Sequence, residues 1–165
     1  MTDSRTGTDL WVKPMPDGKP VPYLSGPFVE NKGQFSPDGR WIAYMSAESG
    51  AGYDIFVQSF PLGSGKIKIS TTGGQDPRWR RDGKEIYYIG PHGIMAVDVK
   101  TSPNFEVGIP KRISSPEFRP PFIGSVGSRY DVTADGKRFL QISPTGNAAP
   151  APITVVLNWQ AGLKQ

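Results

Sequence analysis

Three aspartates, each followed by glycine, stand at Asp38, Asp82 and Asp135, and repeated carboxylates raise the question of calcium. A calcium loop gathers several oxygen donors within a short stretch, as in an EF-hand. None of the three aspartates lies in such an array. Each instead holds the same place in a recurring phrase: "FSPDGRWIAYMS", "WRRDGKEIYYIG" and "VTADGKRFLQIS". Turn-making explains them better than metal binding. The lone histidine, His92, sits in the Gly-bounded "GPHGI". With no second histidine and no carboxylate cluster close by, it reads as a surface turn residue and not as a ligand or base. No G-x-S-x-G elbow supports a hydrolase triad. The chain has no cysteine, which excludes thiol catalysis, disulfides and thiolate-held metals. No catalytic residue, metal ligand or cofactor is expected.

The elements around the aspartates explain their spacing. Asp-Gly suits a tight turn between antiparallel strands, because glycine takes positive φ without a Cβ clash and the aspartate carboxylate accepts backbone amides of the turn. A bulky apolar residue precedes each turn (Phe35, Trp79, Val132), and the strands "WIAYM", "EIYYI" and "RFLQI" follow. Outer strands repeat too: "DLWVKPMP" at 9–16 matches "DIFVQSFP" at 54–61, offset by 45, with "GIMAVDVK" at 93–100 and "ITVVLNW" at 153–159 in the same place. "PVPYL", "KIKIS" and "PKRIS" supply fourth strands. The Asp-Gly pairs lie 44 and 53 residues apart, and a strand-bearing period of roughly 40–45 is that of a propeller blade. The insertion "SSPEFRPPFIGSVGS" accounts for the longer interval.

The expected fold is therefore all-β, a partial β-propeller of about three four-stranded blades, half of a ring of about six. Residues 8–24 give the outer strand pair of an incomplete blade, 33–70 and 76–114 complete blades, and 128–159 a three-stranded last blade. Gly 20 and Pro 17 fit such a turn-rich chain, and no amphipathic helix of three turns is visible. The aromatics Trp41, Tyr44, Phe56, Trp79, Tyr87 and Tyr88 are expected between blades. They do not form a nucleic-acid stacking platform, since that would need exposure on one face among basic residues. Net charge is +4, but the basic residues are scattered, so no nucleic-acid partner is expected. No stretch has the length of a membrane span and no secretory signal layout opens the chain.

The pattern "FSPDGRWIAYMSAESGAGYDIFVQSFP" resembles the TolB-type, WD-repeat-like β-propeller repeat. The ending "YDVTADGKRFLQIS…PITVVLNWQAGLKQ" is similar to the C-terminal propeller part of predicted bacterial transmembrane serine/threonine protein kinases. That resemblance implies a parent with a kinase domain, a membrane span and an extracytoplasmic propeller, and hence a periplasmic or extracytoplasmic location. The chain itself has no Gly-rich phosphate loop, no "HRD" and no "DFG", so no kinase residue carries over.

The expected function is non-catalytic binding or sensing of a protein, peptide or small ligand. The alternatives are the propeller domain of a peptidase or hydrolase and a periplasmic interaction scaffold. Loops leading into the innermost strands converge on one face of a propeller, which makes Glu30, Asn31, Gln34, Gln75, Asp76, Arg78 and Arg129 the candidate ligand-binding residues. In the inserted loop, Phe118, Arg119 and Phe122 are candidates for partner binding, since aromatic and arginine side chains anchor interfaces. An arc of three blades exposes flat faces and unpaired edges, so self-association of two copies into a closed ring is also expected.

Overall fold

Each Asp-Gly pair closes a hairpin with the same hydrogen bonds. Gly39 N–H donates to Ser36 O (2.9 Å) and Ser36 N–H to Trp41 O (2.8 Å). The same pair of bonds links Gly83 to Arg80 and Arg80 to Glu85, and then Gly136 to Thr133 and Thr133 to Arg138. The three glycines have φ of 71°, 73° and 72°, a left-handed conformation that costs a side-chain-bearing residue about 1–2 kcal/mol. Each aspartate accepts the N–H two residues on, from Arg40 (3.2 Å), Lys84 (3.0 Å) and Lys137 (3.0 Å).

The computed structural model describes residues 2–3, 7–63, 65–114 and 129–142, and the regular elements among them are all β-strands. β1 (Thr2–Asp3) pairs with β2 (Gly7–Thr8), and β3 (Leu10–Val12) with β4 (Val21–Leu24). β5 (Glu30–Phe35), β6 (Trp41–Ser46), β7 (Asp54–Ser59) and β8 (Ile67–Lys68) form one sheet in that order. β9 (Gln75–Trp79), β10 (Glu85–Gly90) and β11 (Gly93–Lys100) run in order in a second sheet. Beyond β11 lie β12 (Glu106–Val107) and β13 (Lys111–Arg112), both paired with it. β14 (Tyr130–Val132) pairs with β15 (Phe139–Gln141). All pairings are antiparallel. The expected strand at 153–159 lies outside the described residues.

These sheets stack face to face, and alternation along each strand decides which neighbour a side chain meets. On β6, Ala43 and Met45 join Ile55 and Val57 of β7 against Ile86 and Tyr88 of β10. The intervening Ile42 and Tyr44 turn the other way, with Phe56, onto Tyr23, Leu10 and Val12. On β10, Tyr87 and Ile89 pack with Ile94 and Ala96 onto Tyr130, Val132 and Phe139. The central strands are thus apolar on both faces. Each such side chain contributes roughly 1.5–3 kcal/mol by full burial. Trp79 and Trp41 tie neighbouring units together, their indole N–H groups donating to Gln34 O (3.2 Å) and Thr101 O (3.4 Å).

The outermost strands are short, and a serine ends the hydrogen bonding of each. Ser70 Oγ accepts Ile55 N–H (3.0 Å), and Ser114 Oγ, 44 residues on, accepts Ile94 N–H (2.8 Å). Ser70 Oγ in turn donates to the buried Asp54 carboxylate (2.6 Å), which also takes Lys68 Nζ (2.8 Å). The Asp54 carboxyl is pushed up by burial, but the Lys68, Ser49 and Ser70 hydrogen bonds outweigh that and hold it below its ordinary value.

Candidate functional site

The first strands of the two complete sheets, β5 and β9, carry the same irregularity. Against β6, the register of β5 shifts between Asn31 and Gln34. Against β10, β9 shifts in the same place, between Gln75 and Arg78. Lys32 and Asp76, 44 residues apart, sit inside these breaks at φ of 55° and 51°, uncommon for non-glycine residues. A bulge re-aims a side chain that regular pleating would turn to one face.

The consequence is a row of charge assembled from three repeats. Counting from the Asp-Gly pairs, Lys32, Asp76 and Arg129 occupy one position, six residues before each aspartate. Asp76 lies between the other two: Arg129 Nε donates to its Oδ2 at 2.7 Å, and Lys32 Nζ is 4.0 Å from Oδ1. A second Arg129 nitrogen donates to Gln75 Oε1 at 2.5 Å. The Tyr130 hydroxyl donates to the Asp76 carbonyl at 3.0 Å, and its burial pushes its titration well above the ordinary tyrosine value. Asp76 and Arg129 are both buried, whereas Arg78 and Lys32 are partly exposed.

Glu30, one strand position before Asn31, turns away from this row. Ser46 Oγ donates to Glu30 Oε1 at 3.3 Å, and Oε2 has no hydrogen-bond partner among the described residues. Burial raises the Glu30 carboxyl against the Ser46 hydrogen bond and the Lys66 charge, with buried Asp9 adding to the rise. Asn31 Oδ1 is likewise buried without a hydrogen bond among the described residues.

Of the residues expected to bind ligand, the structure brings Gln75, Asp76 and Arg129 together. It puts Glu30 against Ser46 instead, and uses the Gln34 carbonyl to hold Trp79. Arg78 is on β9 just past the bulge, with Nη1 donating to Pro77 O at 3.4 Å. Phe118, Arg119 and Phe122 lie outside the described residues. Lys32 is the member that sequence reading misses, and its signal is positional: it shares the repeat position of Asp76 and Arg129. His92 lies exposed in the turn joining β10 to β11. No group of three metal-ligating side chains occurs among the described residues. No helix among them is long and apolar enough to cross a membrane. No protein-family model matches the chain, and no curated protein matches it either.

Proposed function

We propose that the chain is a partial β-propeller of about three blades, and that the inner-strand ends form a non-catalytic face for a protein or peptide partner. The observation that carries the reading is the Lys32–Asp76–Arg129 row, in which three repeats each supply one charged residue at one position and the charges meet. The paired charges hold the strand ends of neighbouring repeats side by side, so that the partly exposed groups next to them share one face. Beside the row, Arg78 and Gln75 present partly exposed donors and acceptors on the bulged strand, the kind of polar groups that fix a peptide's register. The resemblance to TolB-type and receptor-kinase propellers favours the same role, with the chain as the ligand-receiving region of a bacterial envelope protein.

The test is selection of a displayed random-peptide library on the immobilised chain, followed by titration of the enriched peptides. Arg78→Ala is expected to weaken them about tenfold, the loss of one charge-assisted hydrogen bond, with an unchanged circular dichroism spectrum. Failure to enrich any peptide, or peptides indifferent to both Arg78→Ala and Gln75→Ala, overturns the assignment.

A further inference from the structure

Two buried carboxylates flank the same serine on the β5–β8 sheet, and the structure treats them in opposite ways. Ser46 of β6 stands opposite Glu30 of β5 on one side and opposite Asp54 of β7 on the other. Ser46, Asp54 and Glu30 are 0%, 4% and 5% exposed. Asp54 is surrounded by donors: Ser49 Oγ, Ser70 Oγ and Lys68 Nζ all bond to it. Glu30 receives only the 3.3 Å bond from Ser46 Oγ to Oε1, and its buried Oε2 has no hydrogen-bond partner among the described residues. An ionised carboxylate so placed is costly, and the usual relief is to take up a proton.

The charges around Glu30 do not make good the deficit. Asp9, buried just ahead of β3, acts on it as a like charge, and so does Glu48 in the turn after β6. Lys66, leading into β8, offers a positive charge. Its Nζ, however, is ion-paired with Glu48 and lies over the rings of Phe56 (4.6 Å) and Tyr44 (5.9 Å). Burial keeps the Tyr44 hydroxyl neutral by raising it far above its ordinary value. For Glu30, too, burial leads the upward displacement.

Asp9 and Glu30 belong to different sheets. Leu10, Val12, Tyr23 and Leu24 of the β3–β4 hairpin pack on Ile42, Tyr44 and Phe56 of the β5–β8 sheet, and the two carboxylates act on each other across that contact.

We propose that Glu30 and Asp9 form a pH-sensitive joint between the β3–β4 hairpin and the β5–β8 sheet. With Glu30 protonated, the repulsion is gone and the carboxyl gains an O–H donor in a site supplied with carboxylate acceptors. With Glu30 ionised, two buried like charges oppose the contact. Because the folded value is raised, the joint is at full strength below the ordinary value of 4.5 and weakens as pH rises through the folded value. At Asp54 the three donors outweigh burial, so the neighbouring carboxylate stays ionised and gives no such response. This inference is independent of any ligand at the Lys32–Asp76–Arg129 row.

The test is urea denaturation of the whole chain and of Glu30→Gln across pH, joined to carbon-13 titration of the glutamate carboxyls. Glu30→Gln keeps the shape and removes the charge. As pH rises from 4.5, the variant should gain on the parent. The gain should be about tenfold in the folding equilibrium constant for each pH unit of upward displacement measured at Glu30. The Glu30 resonance, identified by its loss in Glu30→Gln, should titrate above 4.5 and move down in Asp9→Asn. Amide exchange, corrected for its intrinsic pH dependence, should show opening of β3–β4 growing with pH while opening of β10–β11 stays level. A stability difference between parent and Glu30→Gln that is the same at every pH overturns the inference. So does a Glu30 carboxyl that titrates at or below 4.5 or is unmoved by Asp9→Asn, and so does an equal pH response of the two strand pairs.

Discussion

The Asp-Gly turns and the strands that lead into them both place a charged residue three times at a fixed repeat position, yet the two regions treat it differently. At the turns the residue is always aspartate, and its partners are local: Ser36 Oγ to Asp38 (2.6 Å), Arg80 Nε to Asp82 (2.7 Å), Thr133 Oγ1 to Asp135 (2.6 Å). At the other position, in the bulges of β5 and β9 and just before β14, the residue is lysine, then aspartate, then arginine, and its partners come from the neighbouring repeat. A local task keeps the same residue in every copy because each copy solves it alone. A task shared between copies needs opposite signs at neighbouring positions, so the residue must change. Repetition of a residue marks the first kind, and repetition of a position with changing residues marks the second.

The largest expected effect comes from breaking the shared row. Asp76→Ala leaves buried Arg129 without its carboxylate, and loss of one partner from a buried pair costs about 3–5 kcal/mol. Urea denaturation should show the midpoint falling accordingly. A loss below about 1 kcal/mol would mean that the row does not couple the repeats.

A pair of glycine substitutions sharpens the contrast, because one turn also touches a neighbour. Gly39 and Gly136 share the same φ, but a Cβ on Gly39 meets nothing within 4 Å, whereas one on Gly136 would lie 2.3 Å from Tyr87 Oη and 2.9 Å from Arg80 Cδ. Gly39→Ala should cost about 1–2 kcal/mol from backbone conformation alone. Gly136→Ala should cost more, with displacement of Tyr87 visible in near-ultraviolet circular dichroism. Equal losses would detach the last hairpin from the β9–β13 sheet.

The smallest effect belongs to the turn carboxylates, which are solvent-screened. Asp38→Ala and Asp82→Ala should each cost about 1 kcal/mol or less. For Asp82, the Arg80 side-chain hydrogen bonds lead in holding the carboxyl below its ordinary value. For Asp38, burial pushes the other way, but the Ser36 hydroxyl and the Arg40 amide and side chain outweigh it. A depressed folded pKa means that the unfolded chain takes up the proton first. The stabilisation is therefore full above the unfolded value near 3.8 and disappears as pH falls through the lower folded value. Acid titration of the urea midpoint should show the variants converging with the parent below that range. A constant difference across it would assign the loss to backbone conformation instead.

Sequence alone conveyed the hairpins well, since Asp-Gly, its hydrogen bonds and the flanking apolar strands lie within a dozen residues. The aromatic positions were legible for the same reason: Tyr44, Phe56, Tyr87 and Tyr88 are buried where strand alternation puts them. The bulges were not legible. Lys32 is a poor residue for a left-handed backbone, and Asp76, though of a better type for it, stands in no turn phrase that would mark it, so only the structure shows what the break in register does. Glu30 was grouped with Asp76 because each stands in a loop leading into the first strand of its repeat, but its side chain meets Ser46 instead. β1–β2 and β12 are two-residue pairings, too short for any periodic pattern. Phe35, the bulky apolar residue ahead of the first turn, is half-exposed against Phe60.

The serines that close the outer strands have a further consequence for life among crowded chains. Where Ser70 and Ser114 take the amide that a longer strand's carbonyl would have taken, β8 and β13 can stop after two residues without stranding that donor. A rim so abbreviated presents almost no template on which a stranger's backbone could zip. The edges at β8 and β13 are thereby blunted against fibre growth.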